Sequence, residues 1–415
     1  MQNLLIIYPH WPPSNLAGVH RARLIANFLP RLGWHPVILT VHPDFYEEKP
    51  DTDLVKTVSE SIEVHYTKAF RVTKPRLIGD IGLRAFYQLR KSALQLLSDK
   101  KIDFIWIPIP SFYTAILGRI LHNKTGVPYG IDYIDPWVRD ISNRRNLRSL
   151  LSLIAARILE PFALKKASLV SGVAENYFKP AIKRNFKIKE PVQVAMPYGF
   201  DPDDHTIKIE NIKLPWDDIK DCKPYVYAGA FLPLSGYFIN ELFYSLKFMK
   251  DKGKLDPRVR FFFIGTGFYS HKPISEYAIE NGVEDSVIEI RDRFPYLHIL
   301  NILNASKGVL LIGSTEKHYT ASKTFQVLLS GKPVLAVLHH ESSAVKVFNE
   351  CKANNWSVEY HETKNEADFR TEMSRVLSDF LNINSDYRPD LSKIEKYSAL
   401  ESAKKLVEGI NLAKI

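Results

Sequence analysis

Short apolar runs alternate with segments of helical periodicity along the whole chain. Residues 4–8 form an unbroken apolar run, the pattern of a strand buried on both faces. A turn-rich loop follows over 9–18. Residues 19–32 then place Leu24, Ile25, Phe28 and Leu32 at helical spacing. Pro30 predicts an early kink or end, and Gly33 a helix stop. A second apolar run covers 36–41. Strand, loop, helix and strand within some forty residues predict a βαβ unit on a parallel sheet.

The rhythm recurs. Strands are expected over 103–109, 128–131, 167–172 and 192–196, and helices over 114–125 and 147–164. The texture changes over 197–223, where Gly199, Pro202 and Pro215 stand among many aspartates, and this stretch reads as a join between domains. The second half restarts with strands at 224–228, 259–264, 287–291, 308–312 and 333–337. Helices are expected at 237–250, 296–305 and 323–329, with closing helices at 368–381 and 393–412. The fold class is therefore α/β, with two Rossmann-like doubly wound parallel-sheet domains facing a cleft. The expected division is 1–200, a linker over 201–223, a second domain over 224–390 and a last helix over 391–415. In such sheets ligands bind outside the carboxyl ends of the strands, so the expected site is the cleft.

Composition narrows the partners. Length, 415 residues, suits two domains, and 45% hydrophobic with 25% charged residues is ordinary globular usage. The two cysteines, Cys222 and Cys351, lack metal-ligand spacing, which fits a reducing, cytoplasmic setting. The N-terminus lacks the basic segment and long apolar run of a signal peptide, and no segment approaches the roughly 20 apolar residues of a membrane span. A net charge of +10 favours anionic partners such as nucleotides, phosphorylated substrates or a membrane surface. No common nucleic-acid signature is present, and no nucleic-acid partner is expected.

Several strand-end segments carry candidate chemistry. In the loop 14–21, Gly18 permits close backbone approach to a ligand, and Arg21 in the first helical turn offers a charge-assisted contact to an anion. An ordinary βα turn with a surface arginine is the alternative. Asp132 and Asp135 follow the strand at 128–131, with Pro136 and Trp137 after them. Two carboxylates there suit acid–base work or hydroxyl binding, and capping or turn initiation is the alternative. Trp137 is either a sugar-stacking platform or packing. Gly229 and the Gly265-Thr266-Gly267 turn close two strands of the second half, where plain turn chemistry competes with phosphate binding. Ser322 is expected to cap a helix, with Lys323 at its start suited to a diphosphate and Gln326 one turn on, suited to ribose hydroxyls.

Taken in order, these segments resemble a known group. Pro12-Pro13-Ser14, Ala17-Gly18-Val19, Arg21 and Leu32-Gly33-Trp34 are similar to the first βαβ unit of retaining, nucleotide-sugar-dependent GT-B glycosyltransferases. Residues 132–137 resemble their D-x-R-D-P-W segment, and 196–204 their N-G-F-D region. Tyr227-Ala228-Gly229 resembles Y-A-G, and 322–333 resemble S-K-x-x-E-x-x-x-x-G-x-P. The resemblance implies transfer of a sugar from a nucleotide-diphosphate sugar to a saccharide or lipid-linked acceptor of cell-envelope or polysaccharide type. The nucleotide sugar would be a co-substrate, with no cofactor and no metal. It implies an N-terminal acceptor domain with His20 and Trp137 on the acceptor and Asp135 and Asp132 on the catalytic side. It implies a C-terminal donor domain with Gly229, Gly265, Ser322, Lys323 and Gln326, joined by Gly18 and Arg21, on the donor. It also implies a last helix that crosses back to the first domain. The chain departs at Gln326 and His318, where the group has glutamates, at Ile134 in place of its arginine, and in lacking a cation just after Gly229.

Residues 144–166 are basic at both ends, with Leu147, Leu150, Leu151, Ile154, Ile158 and Phe162 at helical spacing. Such a helix either lies on a membrane surface or packs on its own sheet. A βαβ architecture needs a covering helix at this point, which favours packing.

Overall fold

The computed structural model describes residues 1–76, 78–139, 147–267, 272–316, 323–383 and 387–414. The chain divides into two compact units, Met1–Asp201 with Tyr397–Ile415, and Pro202–Lys396.

The first unit runs β1 (Gln2–Ile7), α1 (Ala17–Phe28), β2 (Trp34–Val41), β3 (Glu63–Thr67), α2 (Ile81–Arg84), α3 (Phe86–Asp99) and β4 (Phe104–Ile109). It continues with α4 (Ala115–Thr125), β5 (Tyr129–Tyr133), α5 (Leu147–Leu164), β6 (Leu169–Gly172), α6 (Glu175–Asn185) and β7 (Val192–Ala195). Its seven strands are ordered β3-β2-β1-β4-β5-β6-β7, and every pairing is parallel. Leu4 to Ile7 and all of β4 are buried, as strands covered on both faces must be. The helix expected over 19–32 is α1 followed by a 3-10 turn over Leu29–Leu32, with Pro30 inside the turn and Gly33 ending it at φ 81°.

The second unit runs β8 (Lys223–Ala228), α7 (Gly236–Asp251), β9 (Val259–Ile264), α8 (Ile274–Glu280), β10 (Val287–Ile290), α9 (Tyr296–Ala305) and β11 (Gly308–Ile312). It closes with α10 (Thr324–Leu329), β12 (Val334–His339), α11 (Ser343–Glu350), β13 (Ser357–Tyr360) and α12 (Glu366–Leu381). Its sheet is ordered β10-β9-β8-β11-β12-β13, again all parallel. The stretch expected to be a linker is fastened to this unit. Tyr296 donates to Asp204 at 3.0 Å, Asn304 Nδ2 donates to the His205 carbonyl at 2.9 Å, and the Trp216 ring meets Phe262.

The last helix, α13 (Ala399–Ala413), packs on α1 and β7 of the first unit. Ser398 caps it by accepting from the Glu401 amide, and Gly409 lies so close to β7 that a Cβ there would meet Val194 at 2.4 Å.

One expectation is reversed. The six apolar residues at helical spacing in α5 do not face the sheet. Leu147, Leu150, Leu151, Ile154, Ile158 and Phe162 are exposed, while Ala156, Ala163 and Leu164 face inward. Small side chains let the helix sit against α4 and leave its larger ones outside.

Candidate functional site

In each sheet the strand order reverses beside the first strand, between β1 and β4 and between β8 and β11. Loops diverge at such a point and leave a crevice at the strands' carboxyl ends.

In the first unit, β1 is followed by Tyr8, whose ring is buried against the start of α1. A Cβ on Gly18 would lie 1.9 Å from the Tyr8 hydroxyl, so only glycine allows this approach. Burial pushes the Tyr8 hydroxyl far above its usual pKa, and the charges of nearby Asp80, Asp135 and Glu48 add to the shift. Burial likewise raises the pKa of Tyr198, whose buried hydroxyl has no hydrogen-bond partner.

Arg21 is not a ligand contact. It is fully buried, with Nε and Nη2 each 3.1 Å from the Asp132 carboxylate and Nη1 donating to the carbonyls of Met196 and Pro197. Asp132 is equally buried and also accepts from Ser171 at 2.7 Å. Both residues are thus internal framework, tying α1, β5 and β6 to the segment after β7, and neither has a free polar atom to offer substrate.

Asp135 differs. Its side chain is 47% exposed, with Arg139 3.3 Å away. Partial burial raises its pKa, and Arg139 opposes the shift. This carboxylate is reachable. Trp137 is not an open platform: it is buried and stacked on Phe112 at 5.8 Å, with its remaining edge on a pocket of about 260 Å³ shared with Tyr133 and Glu160. His20 is half-buried and bonded to Asn15 at 2.7 Å.

A cluster that the sequence did not announce lies in the loop after β1. Ser14, fully buried, donates to Glu48, and His10 Nδ1 stands 3.0 Å from the same carboxylate oxygen. Burial alone would raise the Glu48 pKa, but the hydrogen bonds from His10 and Ser14 outweigh it and leave the carboxyl at about 2.

In the second unit, β8 is followed by Gly229 at φ 157°, a conformation closed to most side chains. Its α-carbon faces Lys323, and a Cβ there would lie 3.8 Å from Lys323 Cγ and Cε. Gly265, at φ 73°, makes the turn after β9. Lys323 is itself the N-cap of α10, with no side chain capping that helix. Ser322, expected in that role, lies outside the described residues, as does His318. The helix spans six residues, so its dipole adds little for an anion.

The charge comes from side chains instead. Lys323 is exposed to solvent, yet the protein crowded round its ammonium holds the pKa below the usual lysine range, and the Arg293 guanidinium adds to the depression. Arg293 is exposed in the loop between β10 and α9. Among the described residues neither cation has a carboxylate partner. Gln326 points a buried Oε1 that has no hydrogen-bond partner. Among the described residues no group of three or more His, Cys, Asp or Glu could hold a metal ion.

Two parallel doubly wound units with these switch points make the GT-B fold. No protein-family model matches the chain, and no curated protein matches its sequence. Solved structures do match. HepE of Anabaena, in complex with UDP and glucose, aligns over 99% of this chain and 100% of its own at 15% identity, with a TM-score of 0.57. The trehalose-6-phosphate synthase OtsA aligns over 99% of each chain at 13% identity and 0.61. A putative UDP-N-acetylglucosamine 2-epimerase from Listeria monocytogenes aligns over 99% and 95% at 8% identity and 0.55. This likeness establishes the fold and leaves the reaction to the site.

Proposed function

We propose that the protein is a glycosyltransferase that moves a sugar from a nucleotide-diphosphate donor to a saccharide or lipid-linked acceptor of cell-envelope or polysaccharide type. One observation carries the reading. Lys323, which faces Gly229 just after β8, and Arg293, whose charge acts on Lys323, both lack carboxylate partners among the described residues. Two cations that repel each other favour an anion between them, and a diphosphate answers both. The unpaired Gln326 Oε1 accepts from a ribose hydroxyl. UDP is the first candidate, because HepE was solved with it.

In the transfer, the bond from the anomeric carbon to the diphosphate oxygen breaks and the acceptor hydroxyl oxygen bonds to that carbon. The hydroxyl proton passes to the departing diphosphate oxygen as the new bond forms. Lys323 and Arg293 stabilise the departing diphosphate without a metal. Asp135, the reachable carboxylate of the first unit, orients the acceptor hydroxyl, and His20 lines its approach. Retention of anomeric configuration follows the family resemblance, and Cys222 and Cys351, both free thiols, fit a cytoplasmic enzyme.

A second reading, a non-catalytic GT-B-like binding or scaffold protein of a polysaccharide assembly system, is favoured by Gln326, an uncharged amide where the resembled group carries glutamate. Calorimetry against UDP, GDP, ADP and CMP, with and without metal, is the test. Binding of one of them at micromolar affinity, lost in Lys323→Ala and in Arg293→Ala, is expected. The matching nucleotide sugar should then turn over, and Asp135→Asn should abolish turnover while leaving nucleotide binding intact. Binding with no turnover of any donor selects the scaffold reading, and no binding to any nucleotide sinks the donor site.

A further inference from the structure

The outer face of α5 is an unpartnered apolar surface. Positions 147, 151, 154, 158 and 162 fall on one helical stripe. Their side chains, Leu147, Leu151, Ile154, Ile158 and Phe162, are 74%, 57%, 46%, 66% and 38% exposed, with Leu150 beside them at 48%. A globular chain rarely leaves so continuous a row of large aliphatic side chains in water unless something covers it.

Charge identifies the cover. The one acid on α5, Glu160, is buried on the inner face, where Arg184 at 2.8 Å, the Tyr133 hydroxyl at 3.2 Å and Asn185 at 3.1 Å hold it. The exposed side is bordered by cations. Arg157 is exposed on the helix, and Lys165 and Lys166 are exposed just past its end. Arg119 of α4 lies over the Phe162 ring at 4.1 Å. Arg144 and Arg145 precede the helix in sequence, outside the described residues. A second copy of the chain docked on this face would bring the same cations against one another. An anionic bilayer suits both features: the stripe enters the boundary between headgroups and acyl chains, and the cations meet lipid phosphates. Eighteen residues at about 1.5 Å each give about 27 Å of helix to lie along that plane. No described helix is long and apolar enough to cross a membrane.

We infer that α5 is a membrane-docking helix, laying its outer face on an anionic lipid surface. This goes beyond the sugar-transfer reading and does not rest on it, because docking is measured without nucleotide. The full chain is sedimented with vesicles of phosphatidylcholine, with and without phosphatidylglycerol. It should pellet with the phosphatidylglycerol vesicles and be released in part by salt. Ile154→Glu with Ile158→Glu, both at exposed positions, should stay in the supernatant while circular dichroism and nucleotide binding are unchanged. Arg157→Glu with Lys165→Glu should lower partitioning at least about twenty-five-fold, at about five-fold for each basic residue at such a surface. Failure of the unmodified chain to pellet with phosphatidylglycerol overturns the inference, as does equal pelleting of the Ile154 and Ile158 variant. A concentration-dependent dimer that the same variant abolishes, with no vesicle binding, also overturns it and assigns the face to self-association.

Discussion

Arg21 donates from Nε, Nη1 and Nη2 entirely within the first unit, whereas Lys323 keeps its ammonium without an acid partner among the described residues. Both were candidate anion contacts in sequence, and burial separates them. Removing one partner of a buried pair leaves the other charged and dry, so Arg21→Ala should destabilise the protein by about 3–5 kcal/mol in chemical denaturation. Lys323 should instead report on ligand. Its pKa is depressed, and an anion beside it raises the pKa again. Across the alkaline range in which this lysine titrates, nucleotide-diphosphate binding should therefore take up protons, visible as a binding enthalpy that changes with the buffer's own ionisation enthalpy. Lys323→Arg, which keeps the charge and cannot lose its proton, should abolish that dependence, and a buffer-independent enthalpy in the unmodified protein would count against the assignment. At Gly18 the obstacle is the Tyr8 hydroxyl. Gly18→Ala should lower the melting temperature, and adding Tyr8→Phe should recover part of the loss, a coupling that a thermal double-mutant cycle measures.

Among the elements, the strands were the most legible, because a strand covered on both faces must be an apolar run, as Leu4 to Ile7 and Val334 to Leu338 are. The edge strand β3 was missed for the converse reason: Glu63, Val64 and His65 are only half-buried and alternate too weakly to stand out. The helices α3 and α6 were missed because their buried positions are few, three in each, among many polar ones. The expected helix over 393–412 begins later, because the Ser398 side chain caps it by accepting from the Glu401 amide, after a 3-10 turn. Ser398→Ala should cost about 1 kcal/mol, read as a lower denaturation midpoint. The α5 reading erred on an assumption of architecture. The sheet needed a covering helix, but Ala156, Ala163 and Leu164 suffice for that contact.

Across the whole molecule, acid stability should carry the signature of Glu48. Its folded pKa, about 2, lies below the unfolded value of roughly 4.3. The stabilisation is therefore full above the unfolded value and is lost as pH falls through about 2. Glu48→Gln should flatten the stability profile between those limits, and an unchanged slope in pH-dependent denaturation would refute the assignment. A chain already at +10 gains further positive charge over the same range, so self-repulsion steepens the loss in the unmodified protein.

Sequence alone determined the α/β class, the two successive rounds of strand and helix, and the strand-end segments that hold Gly18, Asp135, Gly229 and Lys323. It did so because helical and strand periodicities, glycines at turns and apolar runs are local properties of the chain. Only the tertiary structure decided the rest. It buried Arg21 with Asp132 across 111 positions, joined Ser14 to Glu48 across 34 and brought Arg293 to Lys323. It also turned the apolar stripe of α5 outward. Charge pairing, desolvation and exposure depend on what the fold places beside a side chain, and a single sequence carries no local record of those neighbours.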